Sequence, residues 1–133
     1  MDDFLDFKFN DGRLDHALRC FNYAIRDKAL TTLFCFLAIE VLARRVSEIV
    51  LGGKIEEVDK KVWDTFKGTL NLKEQTIKSD VKMLSDAFRH GDFVDTSWET
   101  RKRSLATTWE IIARTMHLLM NKSQLSKTEF PEL

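Results

Sequence analysis

Three features of the chain predict an all-α fold. Its single proline is Pro131, so no residue in the body of the 133-residue sequence forces a helix to break. Apolar residues recur three and four positions apart almost throughout, the spacing of one helix face. No stretch alternates apolar and polar residues for long enough to demand a strand, and no internal repeat is present. These features predict a single antiparallel helical bundle of about five helices over residues 13–122, preceded by a segment 1–12 and followed by a loose tail 123–133.

The first helix follows Asn10-Asp11-Gly12, with Leu14, Leu18, Phe21 and Ile25 stepping by four, three and four along its inner face. The second runs from about Lys28 to Leu51 and is apolar nearly all round in its first half, as suits the centre of a bundle or the seam with a partner subunit. Gly52-Gly53 stops it. A third helix is expected from about Ile55 to Phe66, with Val58, Val62 and Trp63 facing inward. Asn71 with Glu74 three residues on reads as an N-cap for the fourth, which carries Ile77, Val81, Leu84 and Phe88 inward and ends at Gly91. Thr96 with Glu99 forms a second capping box, opening a fifth helix whose inner face is Leu105, Trp109, Ile112, Met116 and Leu119.

Composition narrows the function. Basic and acidic residues both number 21, so no global field draws the protein onto nucleic acid or membrane, and any polyanion must be met by a local patch. Cys20 and Cys35 lack CxxC spacing and sit among apolar residues, as expected of free thiols in a reducing cytosol. The acidic start Met1-Asp2-Asp3 does not read as a signal peptide. The apolar run Ala29 to Ala43 is too short to span a bilayer and contains Glu40. His16, His90 and His117 lack metal-ligand spacing, and no cofactor fingerprint is present.

One short stretch carries candidate chemistry: Phe88-Arg89-His90-Gly91-Asp92. A histidine suited to proton transfer near neutrality stands beside an arginine whose fork matches phosphate oxygens, where a helix ends at a glycine. Asp86, four residues before His90, is placed to hydrogen-bond the imidazole and bias it toward proton donation. The plainer reading is a C-cap, with His90 interacting with the helix dipole and Gly91 stopping the helix. The basic run Arg101-Lys102-Arg103 is one short loop away and offers phosphate contacts. A polar stripe of Arg103, Thr107, Glu110, Arg114, His117 and Asn121 reads mostly as ordinary surface, with Glu110 and Arg114 an i,i+4 pair. Glu40, inside FLAIEVLA, requires a partner, and Arg44 one turn later is the expected one, at a pocket mouth or a dimer seam.

The run LDHALRCFNYAIRDKALTTLFCFLAIEVLARRV, a polar helix, DVKMLSDAFRHGDF and a closing amphipathic helix together resemble the HEPN family (higher eukaryotes and prokaryotes nucleotide-binding domains), nearest its Apea-like branch, from about Leu14 to Asn121. The resemblance implies a cytoplasmic homodimer that binds RNA or nucleotide, and an antitoxin or other protein as a further partner. Active members are metal-independent endoribonucleases of toxin–antitoxin and antiviral systems, with an arginine, four to six intervening residues and a histidine. Here the histidine matches His90, but the arginine positions hold Met83, Leu84 and Ser85, which leaves the phosphate to Arg89 or the basic run. The rival reading is a non-catalytic helical module for dimerisation or protein interaction.

Overall fold

The computed structural model describes residues 11–91, 97–120, 125 and 128–133. Residues 1–10 of the expected segment 1–12, the Thr96 cap, Asp92 and Asn121 lie outside these. The described residues form an all-helical bundle of five helices: α1 (Gly12–Arg26), α2 (Thr31–Leu51), α3 (Lys60–Leu70), α4 (residues 74–89) and α5 (Trp98–Met120). No described helix is long and apolar enough to cross a membrane.

The apolar α2 lies at the centre and packs against each of the other four helices. Its Ile39, Leu42 and Val46 meet Leu14 and Ala17 of α1, Phe66 and Leu70 of α3, Val81 of α4 and Ile111 and Ile112 of α5 in one buried core. Polar clamps fix the open end of the α1–α2 pair. Asp11 caps α1 by accepting from the Leu14 amide at 2.9 Å, and its second oxygen accepts from Arg45 at 2.7 Å. Arg13 grips Glu48 through two hydrogen bonds of 2.9 and 3.1 Å, while the Ile55 amide donates to the same carboxylate at 2.9 Å.

Several expected boundaries move for local reasons. Residues 28–30 form a turn rather than the start of α2, because Asp27 accepts from the amides of Ala29 and Leu30 and Thr31 donates to the Ala24 carbonyl at 2.7 Å. The third helix starts five residues later than expected, at Lys60, where Asp59 caps it through the Val62 amide at 2.9 Å. It continues through Gly68 to Asn71, which is left-handed (φ 58°) and closes α3 instead of opening α4. Ser97 stands before α5 and accepts from the Thr100 amide at 3.4 Å.

The inner face of α5 is wider than expected. Ile112 and Met116 are buried as expected and Thr108, Ile111, Thr115 and Leu118 join them, whereas Trp109 is 48% exposed and covers only the edge of the bundle through Phe21, with ring centroids 5.6 Å apart. Ile25 is likewise exposed, and Ala17, Cys20 and Ala24 take the inner positions of α1. Small residues let helix backbones approach closely, which a count of large apolar side chains alone misses.

Arg114 is not surface. It is 3% exposed, pairs with Glu110 at 3.1 Å, and donates to the carbonyls of Leu70 at 2.9 Å and Pro131 at 2.6 Å. The chain at 128–133, expected as a loose tail, is thereby tied to the bundle. Leu133 and the 71–73 backbone exchange two amide bonds of 3.1 Å, and the Asn71 side chain donates to the Phe130 carbonyl.

Candidate functional site

The α4 helix is interrupted. Lys78–Lys82 form a π-turn, in which the Met83 amide bonds the Lys78 carbonyl five residues back. The middle of this turn is held from α5: Ser104 donates to the Asp80 carbonyl at 2.6 Å and Thr107 to the Asp80 carboxylate at 2.8 Å.

Beyond the π-turn, α4 ends with the candidate chemistry. His90 is exposed, its amide closes on the Asp86 carbonyl at 3.0 Å, and Gly91 follows at φ 76°. Asp86 does not serve His90. One carboxylate oxygen accepts from Lys82 at 2.7 Å and the other from Arg89. The Lys82 bond first, with Arg89 adding to it, holds the Asp86 carboxyl below its usual range. The Arg89 guanidinium also lies 5.7 Å from the centre of the Phe36 ring. Among the described residues the α4 end thus presents an exposed imidazole beside an arginine already held by a carboxylate and an aromatic face.

The basic run divides into two parts. Arg101 is half-buried, with its guanidinium 5.4 Å from the Trp98 ring centre and Nε donating to Thr31 at a long 3.4 Å. Lys102 and Arg103 are exposed and line a depression of about 300 Å³ with Trp98, Glu99 and Ala106. Arg89 and His90 are not part of that depression. Arg101 and Arg89 reach α2 at Thr31 and Phe36, about 7.5 Å apart along its axis.

Glu40 and Arg44 do not form the expected pair. Neither makes an ion pair or hydrogen bond among the described residues, and Arg44 Nε is buried with no acceptor. Both lie on the stripe Leu33, Leu37, Glu40, Arg44, Glu48 and Leu51, every member of which is half-buried or exposed. Among the described residues this stripe is the more open side of α2, although Arg13 of α1 grips it at Glu48.

A fourth place was not singled out by the sequence reading. A groove of about 480 Å³ runs between α3 and α4, where Lys60, Trp63 and Lys67 face Ile77, Lys78 and Lys82. Asp64, also in the lining, pairs with Lys60 at 2.8 Å. The signal in the sequence was the spacing of Lys60, Trp63 and Lys67, three and four apart. Placing the third helix over 55–66 left Lys67 outside it and hid the stripe.

The match of residues 4–120 to the family described as "Domain of unknown function (DUF8168) C-terminal domain" covers most of the chain. The chain belongs to this family. No curated protein and no solved structure matches it. For this DUF8168 C-terminal domain, two chemistries can be weighed from the side chains alone. Among the described residues no three His, Cys, Asp or Glu side chains cluster as metal ligands. Cys20 and Cys35 are buried, and burial pushes the Cys35 thiol up to about 11, so neither is poised as a nucleophile.

Proposed function

We propose that the chain is a HEPN-like RNA-binding domain whose contact surface is the start of α5, with the open end of α4 beside it in sequence. The observation that carries this reading is Trp98. Its side chain is 59% exposed, a guanidinium lies over its ring, and Lys102 and Arg103 border the adjoining depression. A base stacks on an exposed ring whatever its sequence, and flanking cations meet the phosphates. Binding is favoured over cleavage because Arg89 is held by Asp86, and among the described residues no carboxylate orients His90. The cytoplasmic defence setting rests on the family resemblance alone.

Titration of a labelled single-stranded oligoribonucleotide tests this. Lys102→Glu with Arg103→Glu is expected to weaken binding and, with two phosphate contacts removed, to reduce the salt slope by about 1.4. Equal affinity and slope in wild type and variant would remove this surface from consideration. Incubation in EDTA is expected to give no cleavage that His90→Ala abolishes.

A homodimer is the second part of the reading, supported by the more open α2 stripe. In an antiparallel pairing of two α2 helices, Glu40 of each protomer meets Arg44 of the other, and the same two-fold sets Leu33 against Leu51. This gives both unpaired charges a partner and covers the exposed leucines.

A further inference from the structure

The groove between α3 and α4 shares no lining residue with the depression at Trp98. Its lining holds four lysines against one aspartate, a formal excess of three positive charges in a chain whose net charge is zero. Asp64 is engaged by Lys60, and that bond, with Lys67 adding to it, holds its carboxyl below the usual range. Lys82 reaches the carboxylate of Asp86. Lys78 lines the groove and makes no ion pair or side-chain hydrogen bond among the described residues. Like charges gathered around a concavity repel one another, and an anion seated among them relieves that repulsion.

The groove also has a flat apolar element. Trp63 is stacked on Phe36 with ring centroids 6.0 Å apart and an angle of 18°, and Phe66 meets it edge-on at 5.9 Å. These neighbours fix the indole in place while its remaining surface lines the groove beside Ile77. The opposite wall is fixed as well. Lys78 and Lys82 are the two ends of the π-turn, and Ser104 and Thr107 anchor that turn at Asp80 from behind. Interruptions of this kind occur often at functional sites. Here the interruption places a lysine at each end against the volume that Trp63 floors.

We propose that this groove binds a small phosphorylated ligand carrying a planar ring, the ring against Trp63 and the phosphate among Lys67, Lys78 and Lys82. Its volume is that of a small-ligand pocket. One aromatic ring and one cluster of lysines suit a single ring and its phosphate, whereas a nucleic-acid strand requires successive stacking platforms along a basic track.

Calorimetric titration of the whole chain with ADP, adenosine and inorganic pyrophosphate tests the proposal. ADP is expected to bind, with adenosine and pyrophosphate each at least about tenfold weaker, since each lacks one half of the recognised pair. Lys78→Glu, at an exposed position, is expected to weaken ADP by about tenfold or more, and Lys78→Arg to retain it. Absence of ADP binding at millimolar concentration overturns the site, as does equal affinity in wild type and Lys78→Glu. Pyrophosphate binding as tightly as ADP would reduce the groove to a bare anion patch and overturn the role of Trp63. If Lys78→Glu weakens RNA in step with ADP, the groove belongs to an RNA track and is not a separate site. Failure of the Lys102 and Arg103 substitutions to affect RNA would leave the ADP result untouched, so the two readings fail separately.

Discussion

Ser104 of α5 donates a 2.6 Å hydrogen bond to the main-chain carbonyl of Asp80, in the middle of the π-turn of α4. Ser104 is fully buried and Asp80 half-buried. Ser104→Val is expected to cost about 1 kcal/mol, the net worth of one hydrogen bond whose acceptor keeps some access to water. Urea denaturation measures it. A cost near zero would mean that α4 closes the interruption by itself and returns to regular α-helix.

Arg114 joins three segments: the end of α3, α5 and the 128–133 chain. Its Nη1 bonds the Leu70 carbonyl and its Nη2 the Pro131 carbonyl, while Nε takes Glu110. Arg114→Met keeps much of the stem but strips these acceptors of their donor, and is expected to destabilise by about 3 kcal/mol or more. Removing residues 128–133 should weaken the same junction from the other side. Amide exchange at Lys73, whose N–H bonds the Leu133 carbonyl at 3.1 Å, should accelerate in both variants. Unchanged protection there would separate Arg114 from the docking of this segment.

Glu48 gives the fold a dependence on acid. Burial by itself raises its carboxyl, but the Arg13 fork, the Ile55 amide and the nearby Arg45 outweigh burial and hold it below the ordinary 4.5. A carboxyl lowered on folding contributes stability above its unfolded value and loses it as the pH falls through its folded value. Stability is therefore expected to fall below about pH 4.5, and the Glu48→Gln variant should show a shallower fall over the same window while being less stable at neutral pH. Parallel acid profiles for the two proteins would place the sensitive carboxyl elsewhere, with Asp86 and Asp64 the other lowered groups.

The helices of this domain were legible because the strongest signals were local. The all-round apolar run of α2 foretold its central place, and Gly52 (φ 79°) does stop it. What the sequence concealed was the meaning of polar residues. Thr108 and Thr115 pack inside while Trp109 stays half outside, a choice made by the close approach of neighbouring helices. Arg114 read as one member of a surface pair because its other acceptors, at Leu70 and Pro131, are far away in sequence. The same limit affected the site. Asp86 stands four residues from both Lys82 and His90, and spacing alone does not say which of them it serves; the structure gives it to Lys82 and Arg89. The lysine groove needed two helices in register before it existed at all.

Glu40 and Arg44 supply the last prediction. Among the described residues neither has a partner within one copy of the chain, and Arg44 Nε is buried without an acceptor there. An isologous α2 seam gives each charge its opposite on the partner and repeats the contact across the two-fold. Glu40→Arg brings like charges together in both copies of the contact, as does Arg44→Glu, so either exchange is expected to shift the protein to monomer in sedimentation equilibrium. Carrying both exchanges in one chain restores opposite charges with the polarity reversed and should recover the dimer. Residues 40 and 44 are also i,i+4 neighbours within one helix, so unchanged urea stability of the single exchanges is the measurement that separates loss of the seam from damage to α2. A wild type that stays monomeric at all concentrations, or a double exchange that does not recover, would rule out this face of α2 as the contact.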